Sequence, residues 1–312
     1  MNHPSRCDRG AHGRRGVALV MVLCTLFLLS LVIFGLAQRV QDESFVAGRD
    51  GRGLDARALG YTGVQIALHQ LTTNKTPALV HLTGDRSGYR ARLLGEGGKI
   101  NLNWLLIGED PLKLEVFKNY LENKGLSYQE RLVLSDSLLD WMEPGTTQHL
   151  NGSKTALDGQ PVPGRPLQDV MEITRVAGNA PLTRLPGWER DFTLLSQGPI
   201  DMQWAGEEVV GALPGVGLTR ARAFVKQRRG ADGLDGTKDD IDFSKGDPNL
   251  LIPQLLGLSP VTYQNMIGGL VILNDPTTRI VSEGRAYDVT RTFEVVARKQ
   301  GAQPQILSWK EF

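Results

Sequence analysis

Arg14-Arg15-Gly16-Val17-Ala18-Leu19-Val20-Met21 opens the stretch that decides the fold. From Val17 to Ala37, 21 residues pass without a charge, broken only by Thr25, Ser30 and Gly35 before Gln38-Arg39 ends the run. A single helix crossing a bilayer needs roughly 20 such residues. Arg6, Arg9, Arg14 and Arg15 precede it, which keeps the N-terminus cytoplasmic and sends the body across the membrane. Two processing routes compete at this point. Gly35-Leu36-Ala37 is a small-x-small triplet that suits an ordinary signal peptide, cut after the apolar run. Gly16, immediately before the run, suits a prepilin-type leader cut between Gly16 and Val17, which leaves the apolar helix on the mature chain.

The following segment favours the second route. Leu54, Ala58, Tyr61, Val64, Leu68 and Leu71 recur at helical spacing, although Gly48, Gly51 and Gly53 weaken the middle by roughly 1 kcal/mol each. A membrane helix over 17–37 continued by an amphipathic stalk over 38–71 spans roughly 80 Å at about 1.5 Å per residue. A cleaved signal peptide has no need of that continuation.

Beyond the stalk the pattern changes. Residues 72–88 read as a polar connection. Tyr89–Leu94 and Lys99–Trp104 alternate about Gly95-Glu96-Gly97-Gly98, which predicts a β-hairpin. Helices are expected over Leu112–Lys124, Tyr128–Trp141 and Leu167–Ala177, and a helical pair over Glu207–Arg229. Three β arms close the chain at Thr278–Ala286, Val289–Lys299 and Gln303–Lys310. The fold class is α+β: a long N-terminal helix, an antiparallel sheet and a large α-helical insertion. The expected division is a leader over 1–16, the membrane helix, the stalk, a first part of the head over 72–104, an α-rich insert over 105–268 and closing strands over 269–312.

Composition bounds the function. Of 312 residues, 41% are hydrophobic and 22% charged, enough for a packed core and too apolar for disorder. The net charge of +1 is concentrated in the arginine-rich start, so the body is mildly acidic and a poor partner for polyanions. Cys7 and Cys24, the two cysteines, lie in the leader and the apolar run and offer the body no disulfide. The five histidines show no paired zinc spacing, and no G-x-S-x-G occurs. Gly152-Ser-Lys-Thr155 lacks the glycines of a phosphate loop. Trp104, Trp141 and Trp188 read as core or rim. These features point to a protein that works without bond chemistry.

Two motifs carry specific expectations. Leu213-Pro-Gly-Val-Gly217 with Ala221 and Phe224 fits a helix-hairpin-helix turn, whose glycine N–H groups can hold a phosphate. Lys226, Arg228 and Arg229 would add the basic charge that DNA contact needs, but acidic stretches flank the unit and no nucleic acid is expected. Asp232, Asp235, Asp239, Asp240 and Asp242 place five carboxylates in 11 residues. A glycine-bearing loop of this kind supplies the oxygen ligands of calcium, although the order is not that of an EF-hand; a solvated acidic loop is the alternative. Asp247 is a further possible ligand.

Taken together, Arg15-Gly16-Val17-Ala18-Leu19, Gly97-Gly98-Lys99-Ile100-Asn101-Leu102-Asn103, Leu138-Leu139-Asp140-Trp141, Arg165-Pro-Leu-Gln-Asp-Val-Met-Glu172 and Leu307-Ser-Trp-Lys-Glu311 resemble the minor pseudopilin K family of type II secretion (general secretion pathway protein K). The resemblance covers most of the chain. It implies a pilin-like head with an inserted α-domain, bound calcium, cleavage and methylation by a prepilin peptidase, an inner-membrane anchor with a periplasmic body, and minor pseudopilins I and J as partners. Most pilin-like chains carry Glu at the fifth mature position. Here that position is Met21, which the family resemblance associates with the tip of the fibre. The resemblance therefore implies a structural tip subunit that initiates the pseudopilus and supports export across the outer membrane. Two departures stand out. The family's acidic run after Asp-Trp is reduced to Glu143-Pro-Gly-Thr146, which puts calcium there in doubt, and its I-N-V-N-T-A run is Ile200-Asp-Met-Gln-Trp-Ala205. A membrane-anchored helix-hairpin-helix DNA receptor and a type IV pilus minor pilin are the alternatives.

Overall fold

The computed structural model describes residues 13–69, 71–84, 86–299 and 303–312, with the side chains of 13–18, 40–50 and 244 excepted. The leader up to residue 12 thus lies outside the described residues. The chain divides into two units, one ending at Asp55 and one from Ala56 to Phe312.

The first unit is helical throughout its described part. It belongs to α1 (Gly13–Leu68), which runs for 56 residues. Leu19–Arg39 is long and apolar enough to cross a membrane. The hydroxyls within it need no outside partner, because Thr25 donates to the Val22 carbonyl at 2.9 Å and Ser30 to that of Leu26 at 2.8 Å. Such local bonds make polar residues tolerable in lipid.

In the second unit, the end of α1 packs on a five-stranded antiparallel sheet. Its strands are β1 (Val80–Thr83), β2 (Ser87–Gly95), β7 (Thr277–Ala286), β8 (Val289–Arg298) and β9 (Gln305–Glu311), in the order β1-β2-β7-β8-β9. The face of α1 turned to the sheet is Ala56, Gly60, Gly63, Val64, Ala67 and Leu68. This corrects the predicted apolar face: Leu54, Tyr61 and Leu71 are exposed. The reason is how closely the helix approaches. A Cβ on Gly63 would lie 2.3 Å from Ser282 Oγ, and one on Gly284 would lie 2.1 Å from the Ala56 carbonyl oxygen and the Gly60 nitrogen. Only small residues permit that approach, so size rather than hydropathy selects the face. Ser282 Oγ donates to the Gly60 carbonyl at 2.8 Å, and Lys299 Nζ caps the helix end at Ala67 O, 2.6 Å away. Burial lowers the Lys299 pKa to about 8.

Everything between β2 and β7 forms an α-rich insertion with its own apolar core. The predicted hairpin does not form. Lys99–Trp104 contributes only β3 (Ile100–Asn101), which runs parallel to β4 (Phe192–Thr193). Asn101 then accepts from the Trp104 N–H at 3.1 Å and starts α2 (Leu102–Leu106), because its side chain satisfies a free donor of the first turn. β1, read from sequence as part of a polar connection, pairs instead with β2.

The helices of the insertion follow their caps. α3 (Pro111–Asn123) starts at Asp110, with proline first. α4 (Tyr128–Met142) starts at a Ser127–Glu130 capping box. The expected Leu167–Ala177 helix shortens to a 3-10 segment, Val170–Arg175. α5 (Ala180–Thr183) precedes β5 (Ile200–Asp201), which pairs in parallel with β6 (Val271–Ile272). α6 (Glu207–Gly211) and α7 (Gly217–Arg228) flank the turn that contains Leu213–Val216. α8 (Pro248–Leu256) and α9 (Pro260–Met266) follow, each begun by a side-chain cap and proline.

Candidate functional site

The acidic loop follows α7. Its five carboxylates divide into two groups with different tasks. Asp232, Asp239 and Asp240 each offer an oxygen within 4.8 Å of the others'. The loop backbone holds them in place: Asp239 Oδ2 accepts from the N–H groups of Ala231 and Asp232 at 2.7 and 3.1 Å, and Asp240 Oδ2 from that of Gly236 at 2.7 Å. The Thr237 hydroxyl lies 2.7 Å from Asp239 Oδ1 and 3.1 Å from Asp240 Oδ1. The Thr237 hydrogen bond, then the Asp232 N–H, lowers the Asp239 pKa to about 2, so it is ionised throughout the neutral range. Three hard anionic oxygens on a glycine-bearing turn suit calcium chemically.

Asp235 has a different role. Its Oδ1 accepts from Arg228 Nη2 at 2.6 Å and Arg229 Nε at 3.0 Å, and its Oδ2 from Arg229 Nη2 at 2.7 Å. Asp242 pairs with Lys245 at 3.6 Å, and Asp247 caps α8 through the Asn249 N–H at 2.9 Å. The structure therefore does not bring these last three carboxylates to the cluster.

The same contacts correct the basic face expected for α7. Arg228 is fully buried, with Nη1 donating to the carbonyls of Met202 and Ala205 at 3.0 and 2.6 Å. Arg229 is tied to Asp235, and of the three only Lys226 is exposed. A guanidinium enclosed in this way cannot reach a phosphate. Its work is to join the end of α7 to the acidic loop and to the segment after β5.

The motif residues turn out to bind one another. Asn103 accepts from the Leu167 N–H at 2.9 Å and donates to its carbonyl at 2.8 Å. Trp141 Nε1 donates to Glu172 at 3.2 Å, and Arg165 contacts the same carboxylate at 3.3 Å. Glu96, buried, accepts from Arg279 on β7 at 2.8 and 2.9 Å and from Thr193 at 2.5 Å. Gly97 and Gly98 admit Asp275 and Trp204 to within 2.5 Å of a would-be Cβ. These motifs fasten the insertion together and to the sheet.

One grouping escaped the sequence. Glu109, Glu143 and His149 offer ligand atoms within 4.8 Å of one another. They come from three loops, and Glu109 and His149 are 40 residues apart, so no local spacing announces them. At the other end of the chain, Gly16 and Val17 lie in the backbone of α1, while their side-chain surroundings fall outside the described residues. Met21 lies on the same helix, 66% exposed.

A long N-terminal helix, an antiparallel sheet against its end and an α-rich insertion between the second and third strands of that sheet define a mixed α+β architecture. No family model matches the chain. It is 28% identical over 191 residues to the type II secretion system protein K of Klebsiella pneumoniae, a match that takes in 54% of this chain and 59% of that one. The match thus spans 59% of the curated relative's length. In fold, the chain is similar to a chain in the crystal structure of the GspK-GspI-GspJ complex from the enterotoxigenic Escherichia coli type 2 secretion system. That likeness has a TM-score of 0.55 at 14% identity and covers 88% of this chain and 99% of the other. The resemblance to the K-type minor pseudopilins is borne out in sequence by the first and in fold by the second.

Proposed function

We propose that this chain is a K-type minor pseudopilin, a non-enzymatic structural subunit at the tip of a type II secretion pseudopilus, where it initiates assembly and supports protein export across the outer membrane. The observation that carries this reading is the α-rich insertion between β2 and β7, in a fold shared over 88% of the chain with a component of the GspK-GspI-GspJ complex. On this reading the partners are minor pseudopilins I and J. A prepilin peptidase cuts between Gly16 and Val17 and methylates the new N-terminus. The apolar stretch of α1 anchors the subunit in the inner membrane, N-terminus cytoplasmic and body periplasmic. Met21 supports the tip position, because a subunit without a carboxylate there has nothing to pair with a chain above it.

The test is deletion of the gene with complementation, joined to N-terminal sequencing. Export fails without the chain and returns with the wild type. A mature N-terminus at Val17 and co-purification with the I and J subunits are expected. A mature chain beginning at Gln38 removes the pilin reading, and loss of surface pili with export intact assigns it to a type IV pilus instead.

Calcium is proposed for the loop, held by Asp232, Asp239 and Asp240. Titration calorimetry on the full chain in detergent is expected to show calcium binding that Asp239→Asn abolishes. No heat of binding in the wild type would remove the assignment.

A further inference from the structure

A cleft of about 710 Å³ lies between the insertion and the sheet, a size that suits a small ligand or a short peptide segment. It opens on the sheet face away from α1. β8 turns Phe293, Val295 and Ala297 toward the helix, and by alternation Glu294 and Val296 point the other way, into the cleft. Arg279 of β7 and Lys310 of β9 share that side, while Met171, Arg190 and Phe192 come from the insertion. Glu96 and Lys99, where the chain leaves β2, also line it.

Four acids and four bases line the cleft, but they are not equally engaged. Glu96 is buried and holds Arg279 through both oxygens, at 2.8 and 2.9 Å, and the Thr193 hydroxyl at 2.5 Å. Arg279 Nη1 also lies 3.2 Å from Glu294. Asp169 accepts from the Met171 N–H at 2.8 Å. Lys99 is left over. Its side chain is only 19% exposed, yet its ammonium lies 3.9 Å from Glu96 Oε2 and makes no hydrogen bond among the described residues. Burial lowers its pKa, with Glu96 opposing. An ammonium withdrawn from water without an acceptor is costly, so an incoming anion is favoured there. Arg190 and Lys310, one on each side, are exposed and also without a hydrogen-bonded acid among the described residues, against Glu189 alone. Met171 and Phe312, both exposed, add apolar surface. We propose that this cleft binds a peptide segment of another protein in which an acidic side chain is flanked by apolar ones. The carboxylate pairs with Lys99, and the apolar neighbours lie against Met171 and Phe312. An inorganic anion would leave that apolar surface uncovered.

The experiment follows the fluorescence anisotropy of a labelled hexapeptide of alternating leucine and glutamate, titrated with the full chain in detergent micelles; empty micelles give the baseline. Saturable binding is expected, and the same peptide with glutamine for glutamate should bind at least about tenfold more weakly. Lys99→Met removes the ammonium, keeps the apolar stem and should cost about the same factor. Arg190→Gln and Lys310→Gln combined should weaken binding about threefold or more. Both positions are exposed, so the double variant keeps the test valid if Lys99→Met disturbs folding. No binding above empty micelles, equal affinity for the glutamine peptide, or unchanged affinity in either variant overturns the site. Dimerisation of the chain that Lys99→Met abolishes would give the cleft to a second copy and overturn it equally.

Discussion

Replacing Gly284 with alanine tests whether the close approach of α1 to the sheet holds this fold together. The new Cβ would lie 2.1 Å from both the Ala56 carbonyl oxygen and the Gly60 nitrogen. Both are backbone atoms, so no rotamer change relieves the overlap. The helix has to withdraw by about 1 Å, and a gap of that size forfeits a quarter to a half of each dispersion contact across it. Val64, Leu68, Phe293 and Val295, buried in this layer, are each worth about 2 kcal/mol on burial. Losing about a third of that gives roughly 2–3 kcal/mol, within the usual range for overpacking. For a body of this size the melting temperature should fall by about 5–10 °C. Thermal unfolding of the full chain in detergent, followed by circular dichroism, reads it directly. A variant melting within about 1 °C of the wild type would refute the argument and mean that the helix rests loosely on the sheet.

Gly53→Ala should act in the opposite sense, raising helix stability by about 0.5–1 kcal/mol, because nothing lies within 4 Å of the new methyl group; urea titration of the two glycine variants side by side separates them. Asp235→Ala leaves the buried Arg228 without its carboxylate and should cost about 3–5 kcal/mol, whereas Asp232→Ala, on the exposed side of the same loop, should leave urea stability unchanged and affect calcium alone. Burial raises the Asp201 pKa to about 6, with the Asp275 and Gln203 N–H groups opposing; the folded state holds this proton more tightly than the unfolded chain, so stability falls as pH rises from about 4 to 6, by up to about 3 kcal/mol. Asp201→Asn should flatten that slope in urea midpoints measured across the window, and a slope unchanged in the variant assigns it to another group.

The extent of α1 and the three closing strands were legible because each rests on a local pattern: an uncharged run, a 3.6-residue period, alternation. The face of α1 was not. Leu54 and Tyr61 carry the apolar signal yet stay largely exposed, while Gly60 and Gly63 pack. Hydropathy reports what a side chain gains from burial. It cannot report that two backbones meet closely enough to exclude side chains. The hairpin failed for a related reason. Gly97-Gly98 looked like a turn, but those glycines make room for Asp275 and Trp204, partners more than 100 residues away.

Arg228 shows why charge in a sequence is a poor guide to a surface. Counted with Lys226 and Arg229 at the end of α7, it suggested a phosphate-binding face. In the fold it donates to two carbonyls and a carboxylate inside the protein, and its presence divides the acidic loop. Because Asp235 turns inward to meet it, Asp232, Asp239 and Asp240 are left together on the outer side. Five carboxylates in a row looked like one site. Asp235, paired with Arg228, consolidates the insertion, and Asp232, Asp239 and Asp240 stay grouped beside it. At His149 the relation reverses: an unremarkable lone histidine gains its meaning from Asp140 beneath it and Glu109 across a loop. In both places the tertiary partner, rather than the residue type, decides which charges are available for chemistry.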